Sequence, residues 1–105
     1  MAMSKELLKI SKTFSRYPAG RYYSDGPFSG QKFREEFLRP KLDSGINLVI
    51  NLDETRGFGS SFLEEAFGGL VRAGYNPDTL LELLSFETKD ESLVLEIKEY
   101  INDAR

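Results

Sequence analysis

The sequence predicts an α/β fold, a small and mostly parallel sheet with packed helices. Three segments have the apolar or alternating pattern of strands, and they span residues 5–14, 46–52 and 83–88. Each is followed by a segment whose apolar residues recur at helical spacing, and such alternation of strands and helices is typical of a parallel sheet. The 105 residues suffice for one domain over 1–105 with no metal or disulfide to stabilise it.

The first strand is predicted from alternation of apolar and polar residues. Leu8, Ile10 and Phe14 fall on one side and polar residues on the other, which suits a strand at a sheet edge. The proline- and glycine-rich stretch after it has the composition of a loop, in which residues 21–23 could form a short strand.

The middle of the chain predicts a helix and then a buried strand. The helix begins at Ser29 as its N-cap, carries an aromatic pair four positions apart, and ends at Pro40. The strand at 46–52 is almost continuously apolar, which predicts a central strand covered on both faces.

Three helices are predicted in the second half. The first starts at the serine pair Ser60 and Ser61 and ends at Gly74. A short helix begins with Asn76 as N-cap and Pro77 in its first turn, and the last helix occupies residues 90–105.

Composition excludes several classes of function. The chain has no cysteine and no histidine, so thiol or histidine nucleophile mechanisms and histidine- or thiolate-ligated metal sites are excluded. We expect no catalytic residue, no metal, no cofactor and no small-molecule substrate. The net charge of −3 makes nucleic acid an unexpected partner. No apolar run approaches the ~20 residues of a membrane span, and we expect a cytoplasmic protein.

The serine pair has a structural interpretation and a functional one. Ser61 and Glu64 have the spacing of a capping box, in which each side chain accepts a hydrogen bond from an unpaired backbone N–H; such a cap contributes about 1 kcal/mol. Ser60 would then lie just outside the helix and face solvent. A phosphate there would meet free N–H groups and the positive end of the helix dipole.

The order of elements around the serine pair resembles the STAS domains of sulfate transporters and anti-sigma factor antagonists. That order is an apolar strand that ends in Asp, a short loop, two serines and an amphipathic helix. More closely, "GRYYSDGPFSGQKFREEFL" and "GFGSSFLEEAFGGLVRAG" resemble the STAS-like domain family of unknown function, which is often encoded beside histidine-kinase-like ATPases. The likeness covers roughly residues 5–103.

The resemblance implies a switch rather than an enzyme. It assigns Ser60 as the phosphoacceptor of a kinase-fold partner, Ser61 as its neighbour and Asp53 as the acid at the strand end. Gly57 and Gly59 complete this switch loop. Antagonists carry Asp immediately before the serines and Gly after them, whereas this chain has Gly59 and Phe62 there.

The helix after the serines is expected to bind the protein partner, and the residues assigned to that surface are Glu64, Glu65, Gly68 and Arg72. A glycine inside a helix costs about 1 kcal/mol relative to alanine, so the pair Gly68 and Gly69 indicates close approach by another group. That group is either the partner or the protein's own sheet.

A secondary loop at "RYYSDGP" offers Arg21 as an anion ligand and Asp25 as an acceptor. The same residues also predict a simple turn, in which Asp25 binds its own backbone, Gly26 adopts positive φ and the tyrosines pack. The alternatives to a switch are a constitutive interaction module, or a weak nucleotide- or anion-binding domain built on "GFGSSF".

Overall fold

In the computed structural model, which describes residues 4–104, a three-stranded sheet packs against helices. The strands are β1 (Lys5–Lys9), β2 (Asn47–Asn51) and β3 (Leu84–Glu87), in the spatial order β1-β2-β3. Both pairs are parallel, with Leu7 opposite Val49 and Val49 opposite Ser85. The predicted α/β class is confirmed.

Four helices accompany the sheet. Helix α1 runs through Gly30–Lys32, Phe33–Leu38 and Arg39–Asp43, and α2 runs through Ser60–Leu63, Glu64–Gly68 and Gly69–Arg72. The middle segments of α1 and α2, Phe33–Leu38 and Glu64–Gly68, have wider, π-type turns. Helix α3 is Pro77–Leu83 and α4 is Glu91–Asp103. None of the helices in residues 4–104 combines the length and apolarity needed to cross a bilayer.

Local chemistry accounts for several boundaries. The Ser29 side chain accepts from the Lys32 N–H, and the Asn76 side chain accepts from Asp78 and Thr79, as expected of N-caps. Gly74 follows α2 with φ of 112°, a conformation that disfavours other residues. These predicted boundaries are confirmed.

The first strand is shorter than predicted. Lys9 pairs with Asn51, the last residue of β2, so a longer β1 would have no partner. The segment Ile10–Phe14 instead forms one wide helical turn, closed by the Ser15 N–H on the Ile10 carbonyl at 2.8 Å. This turn brings Phe14 against an aromatic cluster, with ring centroids 5.0 Å from those of Phe33 and Phe37.

Two further predictions of secondary structure are wrong. Residues 21–23 form no strand, because the chain turns there and the segment Tyr23–Asp25 is a single 3₁₀ turn. Pro40 does not end α1, which continues to Asp43. The wider turns of Phe33–Leu38 change the helix register before the proline, so Pro40 lies in the first turn of a new α-helical stretch, where its missing N–H is tolerated.

The central strand is covered on one face rather than two. Leu48 and Ile50 are fully buried, whereas Asn47, Val49 and Asn51 are only half-buried. With the order β1-β2-β3, two right-handed crossovers place α1 and α2 on the same side of the sheet. The core therefore lies between one sheet face and the helices, and its fully buried large side chains include Leu8, Ile10, Phe33, Leu38, Leu48, Ile50, Phe62, Leu63, Phe67, Leu70 and Leu80.

Candidate functional site

The candidate site is the loop between β2 and α2 with the first turn of α2, and Asp53 anchors its beginning. The Asp53 carboxylate accepts hydrogen bonds from the Thr88 hydroxyl and the Lys89 N–H, both at 3.0 Å. These bonds, led by that from the Lys89 backbone, hold the pKa of Asp53 below its usual 3.8. Asp53 therefore links the loops that leave two neighbouring strands.

The other side of the loop is fastened to the segment after β1. Glu54 forms an ion pair with Lys9, and the Arg56 N–H donates to the Arg16 carbonyl at 2.8 Å. The Lys9 hydrogen bond lowers the pKa of Glu54, and the charges of Lys12 and Arg16 lower it further. Glu54 itself has a left-handed backbone, with φ of 69°. The loop is thus held in one strained conformation, a feature common at functional sites.

The loop delivers Ser60 to the start of α2. Gly57 has φ of 117°, which requires glycine, and Gly59 occupies the extended N-cap position. Ser60 and Ser61 are the first two helical residues, and both are exposed. No side chain caps this end of the helix, so its first-turn N–H groups face outward with the positive end of the helix dipole.

The predicted capping box is wrong. The helix begins two residues earlier than the box requires, with Gly59 rather than Ser61 at the N-cap position, and the Ser61 side chain caps nothing. The Glu64 carboxylate turns away from the helix start and accepts from Arg72 at 2.7 and 3.0 Å and from Arg21 at 2.5 Å. The attraction of two guanidinium groups therefore outweighs the capping interaction of Glu64.

Glu65 is held inside the protein by a third arginine, Arg34. The Arg34 Nη1 donates to a Glu65 carboxylate oxygen at 2.5 Å and to the Glu65 carbonyl at 2.8 Å. Both side chains are about nine-tenths buried, with relative exposures of 11% and 9%. This ion pair joins α1 to α2.

Gly68 and Gly69 make room for this network. A Cβ at Gly69 would overlap the guanidinium of Arg34, and one at Gly68 would lie 2.5 Å from a Glu64 carboxylate oxygen. The close approach that the sequence indicated is therefore made by side chains of this chain, neither by the sheet nor by a partner.

The predicted partner-binding surface of α2 is only partly accessible. Glu65 is 7% exposed and Gly68 is buried, so neither offers surface to another protein. Ser61 and Arg72 are exposed, although Arg72 is engaged with Glu64. The accessible part of residues 57–72 is mainly the loop and the first turn of α2.

The secondary loop follows the simple-turn interpretation. The Asp25 carboxylate accepts from the Arg21 and Tyr22 N–H groups at 3.1 and 2.8 Å, and Gly26 has φ of 147°. The Arg21 guanidinium is bound to Glu64 and Glu65, so it is already occupied by carboxylates. The predicted packing of the tyrosines is wrong, because Tyr22 is 50% exposed.

The basic segment that contains Lys12 and Arg16 is interpreted from the sequence as the solvated side of a strand and a loop, and it was not assigned to the serine site. Lys12 and Arg16 act on the charge of Glu54, and Tyr17 beside them is 59% exposed. The signal available was the excess of lysine and arginine after the first strand, read together with the rule that carboxyl ends of parallel strands meet. Within residues 4–104 no cluster of acidic side chains is arranged to hold a metal.

These features define an α/β domain with a fastened loop that presents a serine at the start of a helix. A family model described as "STAS-like domain of unknown function (DUF4325)" matches residues 29–93, which is more than half of the chain. The chain belongs to this STAS-like family. A search of curated proteins and one of solved structures found no significant match.

Proposed function

We propose that this domain is a non-catalytic regulatory module that binds a protein partner, and that phosphorylation of Ser60 by a histidine-kinase-like ATPase controls the binding. The observation that carries the proposal is the position of Ser60. Its side chain is exposed at the first position of α2, beyond a loop fastened on both sides.

The local electrostatics favour a phosphate at this position. A phosphoserine in the first helical turn would accept from uncapped N–H groups and interact favourably with the helix dipole. The lysine and arginine residues beside the loop carry the opposite charge. The phosphorylated helix start would therefore be stable. The added negative charge would alter the interaction with any protein that contacts the loop.

The partner surface in this proposal is the loop and first turn, extended by exposed tyrosines. Tyrosine and arginine are enriched in the cores of protein interfaces. Tyr22 and Tyr23 are 50% and 47% exposed, and their neighbour Arg21 contacts Glu64 in α2. Phosphorylation of Ser60 adds about two negative charges. A partner that covers Ser60 and residues 21–23 would be displaced, because these charges lie at the centre of the contact.

The proposal is tested with a purified histidine-kinase-like ATPase, the class of partner that the family resemblance implies. We expect the ATPase and ATP to add about 80 Da to the wild type and nothing to Ser60→Ala. Ser60→Asp should weaken binding by about tenfold or more, while Tm stays the same or rises slightly because an acid suits the first turn.

The matched control is Ser61→Asp, which places the same charge one residue further along the helix and should leave binding nearly intact. Equal binding by the wild type and Ser60→Asp would refute the switch and leave a constitutive module. No binding by the wild type would refute this partner. Ser61→Ala removes no helix cap, so it should change stability by less than about 0.5 kcal/mol.

A further inference from the structure

A cleft outside the serine loop runs between β3 and α4. It has a volume of about 340 Å³, and its lining residues are Phe86, Thr88, Glu91, Val94, Leu95 and Lys98. Leu95 is 64% exposed, the highest value among the large apolar side chains that are exposed in residues 4–104. Phe86 and Val94 are half-buried in the cleft wall. The cleft is large enough for one bulky apolar side chain.

Strand β3 forms the other boundary of the cleft, and no further strand in residues 4–104 pairs with its outer edge. The strand order places β3 beside β2 alone. The Glu87 carbonyl accepts from the Leu52 N–H at 2.9 Å, so the backbone groups of Glu87 point towards β2. Because successive residues of a strand point their N–H and C=O groups to opposite sides, those of Phe86 point outwards.

The cleft lining has one carboxylate and one lysine, Glu91 and Lys98, but the segment that contains the cleft has an excess of negative charge, which selects among possible occupants. Segment 82–99 carries six acidic residues and two lysines, namely Glu82, Glu87, Asp90, Glu91, Glu96, Glu99, Lys89 and Lys98. A second copy of this chain paired edge to edge would bring two such acidic segments together, which costs free energy. A basic segment is attracted instead. The four-residue strand and a cleft of this size also fit a short linear segment better than a globular surface.

We propose that the β3 edge and the β3–α4 cleft bind an extended basic segment of a protein partner. The segment adds to the sheet as a fourth strand by hydrogen bonds with the backbone of Phe86. One of its bulky apolar side chains enters the cleft against Val94 and Leu95. Basic residues on either side of that residue lie near Glu87 and Glu91. No residue of the Ser60 loop takes part, so the inference does not depend on the proposed switch.

The test uses an array of fluorescein-labelled basic heptapeptides whose central residue is varied over the bulky apolar amino acids and serine. Fluorescence anisotropy measures binding to the full chain. We expect apolar centres to bind and serine centres to bind about tenfold or more weakly. For the best peptide, N-methylation of one amide should abolish binding and N-methylation of the next should not, because alternate N–H groups face the sheet.

The chain offers a matched pair of variants. Leu95→Glu should weaken binding of the best peptide by about tenfold or more, whereas Leu7→Glu should leave it unchanged. Leu7 is 61% exposed on β1 at the opposite sheet edge, so the two substitutions make the same chemical change at similar exposure. Amide NMR shifts on titration should centre on Phe86.

Three results would overturn the inference. The first is the absence of binding across the whole array. The second is binding that Leu95→Glu does not affect, or shifts that centre on another part of the chain. The third is a concentration-dependent dimer in analytical ultracentrifugation that Leu95→Glu abolishes, since the occupant of the β3 edge would then be a second copy.

Discussion

At the scale of single residues, Gly30 lies where α1 and α2 pack too closely for a Cβ atom. It is the first residue of α1, and a Cβ there would lie 2.5 Å from the Phe62 carbonyl oxygen and 3.1 Å from the Ala66 nitrogen. Both atoms belong to the backbone of α2, which cannot move as a side chain can. The close approach of α1 and α2 therefore depends on glycine at this position.

We predict that Gly30→Ala lowers the free energy of unfolding by about 1–3 kcal/mol, because the methyl group forces the two helices apart. The matched control is Gly59→Ala, since Gly59 has φ of −70° and nothing within 4 Å of an added Cβ. Gly59 is an N-cap, where alanine is less favourable than glycine, so urea denaturation should place the control within about 1 kcal/mol of the wild type. Equal stability of the two variants would contradict the predicted contact.

At the scale of elements, an arginine and glutamate network joins α1, α2 and the secondary loop. Arg34 reaches Glu65 from α1, while Arg21 and Arg72 converge on Glu64. The Arg72 hydrogen bond is the largest influence that holds the pKa of Glu64 below its usual 4.5, and it outweighs the opposite effect of burial. Glu64 thus binds a proton less readily in the folded state than in the unfolded state.

Acid should therefore weaken the network. The stabilisation from Glu64 is complete above the unfolded-state pKa of about 4.5 and is lost as the pH falls through the lower folded-state value. We predict that Glu64→Gln is less stable than the wild type at neutral pH and loses less stability on acidification below 4.5. Some acid sensitivity remains, because the pKa values of Glu35 and Asp53 are also lowered.

Urea midpoints measured across this pH range test the prediction. Glu82→Gln makes the same change of charge at an exposed side chain on α3, and it serves as the control. Parallel pH profiles for the wild type and Glu64→Gln would show that Glu64 does not carry the predicted linkage.

At the scale of the whole molecule, the sheet has one buried and one open face. Leu7 and Leu8 are neighbours in β1, yet they are 61% and 1% exposed. Successive strand residues point to opposite faces, and both crossover helices cover the same face. All-parallel sheets are generally covered on both sides, so the open face is an unusual property of this domain.

We predict that Leu7→Lys changes the free energy of unfolding by less than about 0.5 kcal/mol, whereas Leu8→Ala lowers it by about 2–5 kcal/mol. The difference arises because only Leu8 loses contacts in the core. Thermal and urea unfolding of both variants give the comparison. A large loss of stability in Leu7→Lys would mean that the open face is covered in solution.

Much of the fold was predictable from local patterns. The caps at Ser29 and Asn76, the glycine at Gly74 and the positions of β2 and β3 follow from interactions within a few residues. The errors occur where distant contacts decide the outcome. Strand β1 ends because its partner ends, and Pro40 is accommodated by wide turns in α1.

The candidate site was predicted in part. The sequence placed Asp53 and Ser60 at the end of a strand and the start of a helix, and the structure confirms those positions. It also favoured Ser61 as a cap, which is wrong because Arg21 and Arg72 bind Glu64. Arginines 43 and 8 positions away from Glu64 decide that outcome, and no local pattern contains them.

The sequence by itself determined the alternation of strands and helices, most of their boundaries and the membership of a STAS-like family, because these depend on spacing and capping along the chain. Tertiary structure alone decided which side chains are accessible at the surface. Glu65 and Gly68 are polar or small in sequence but buried by Arg34 and Glu64, while the β3–α4 cleft joins residues from two elements. Burial and ion pairing depend on the distance between elements, and that distance is set only when the helices pack on one face of the sheet.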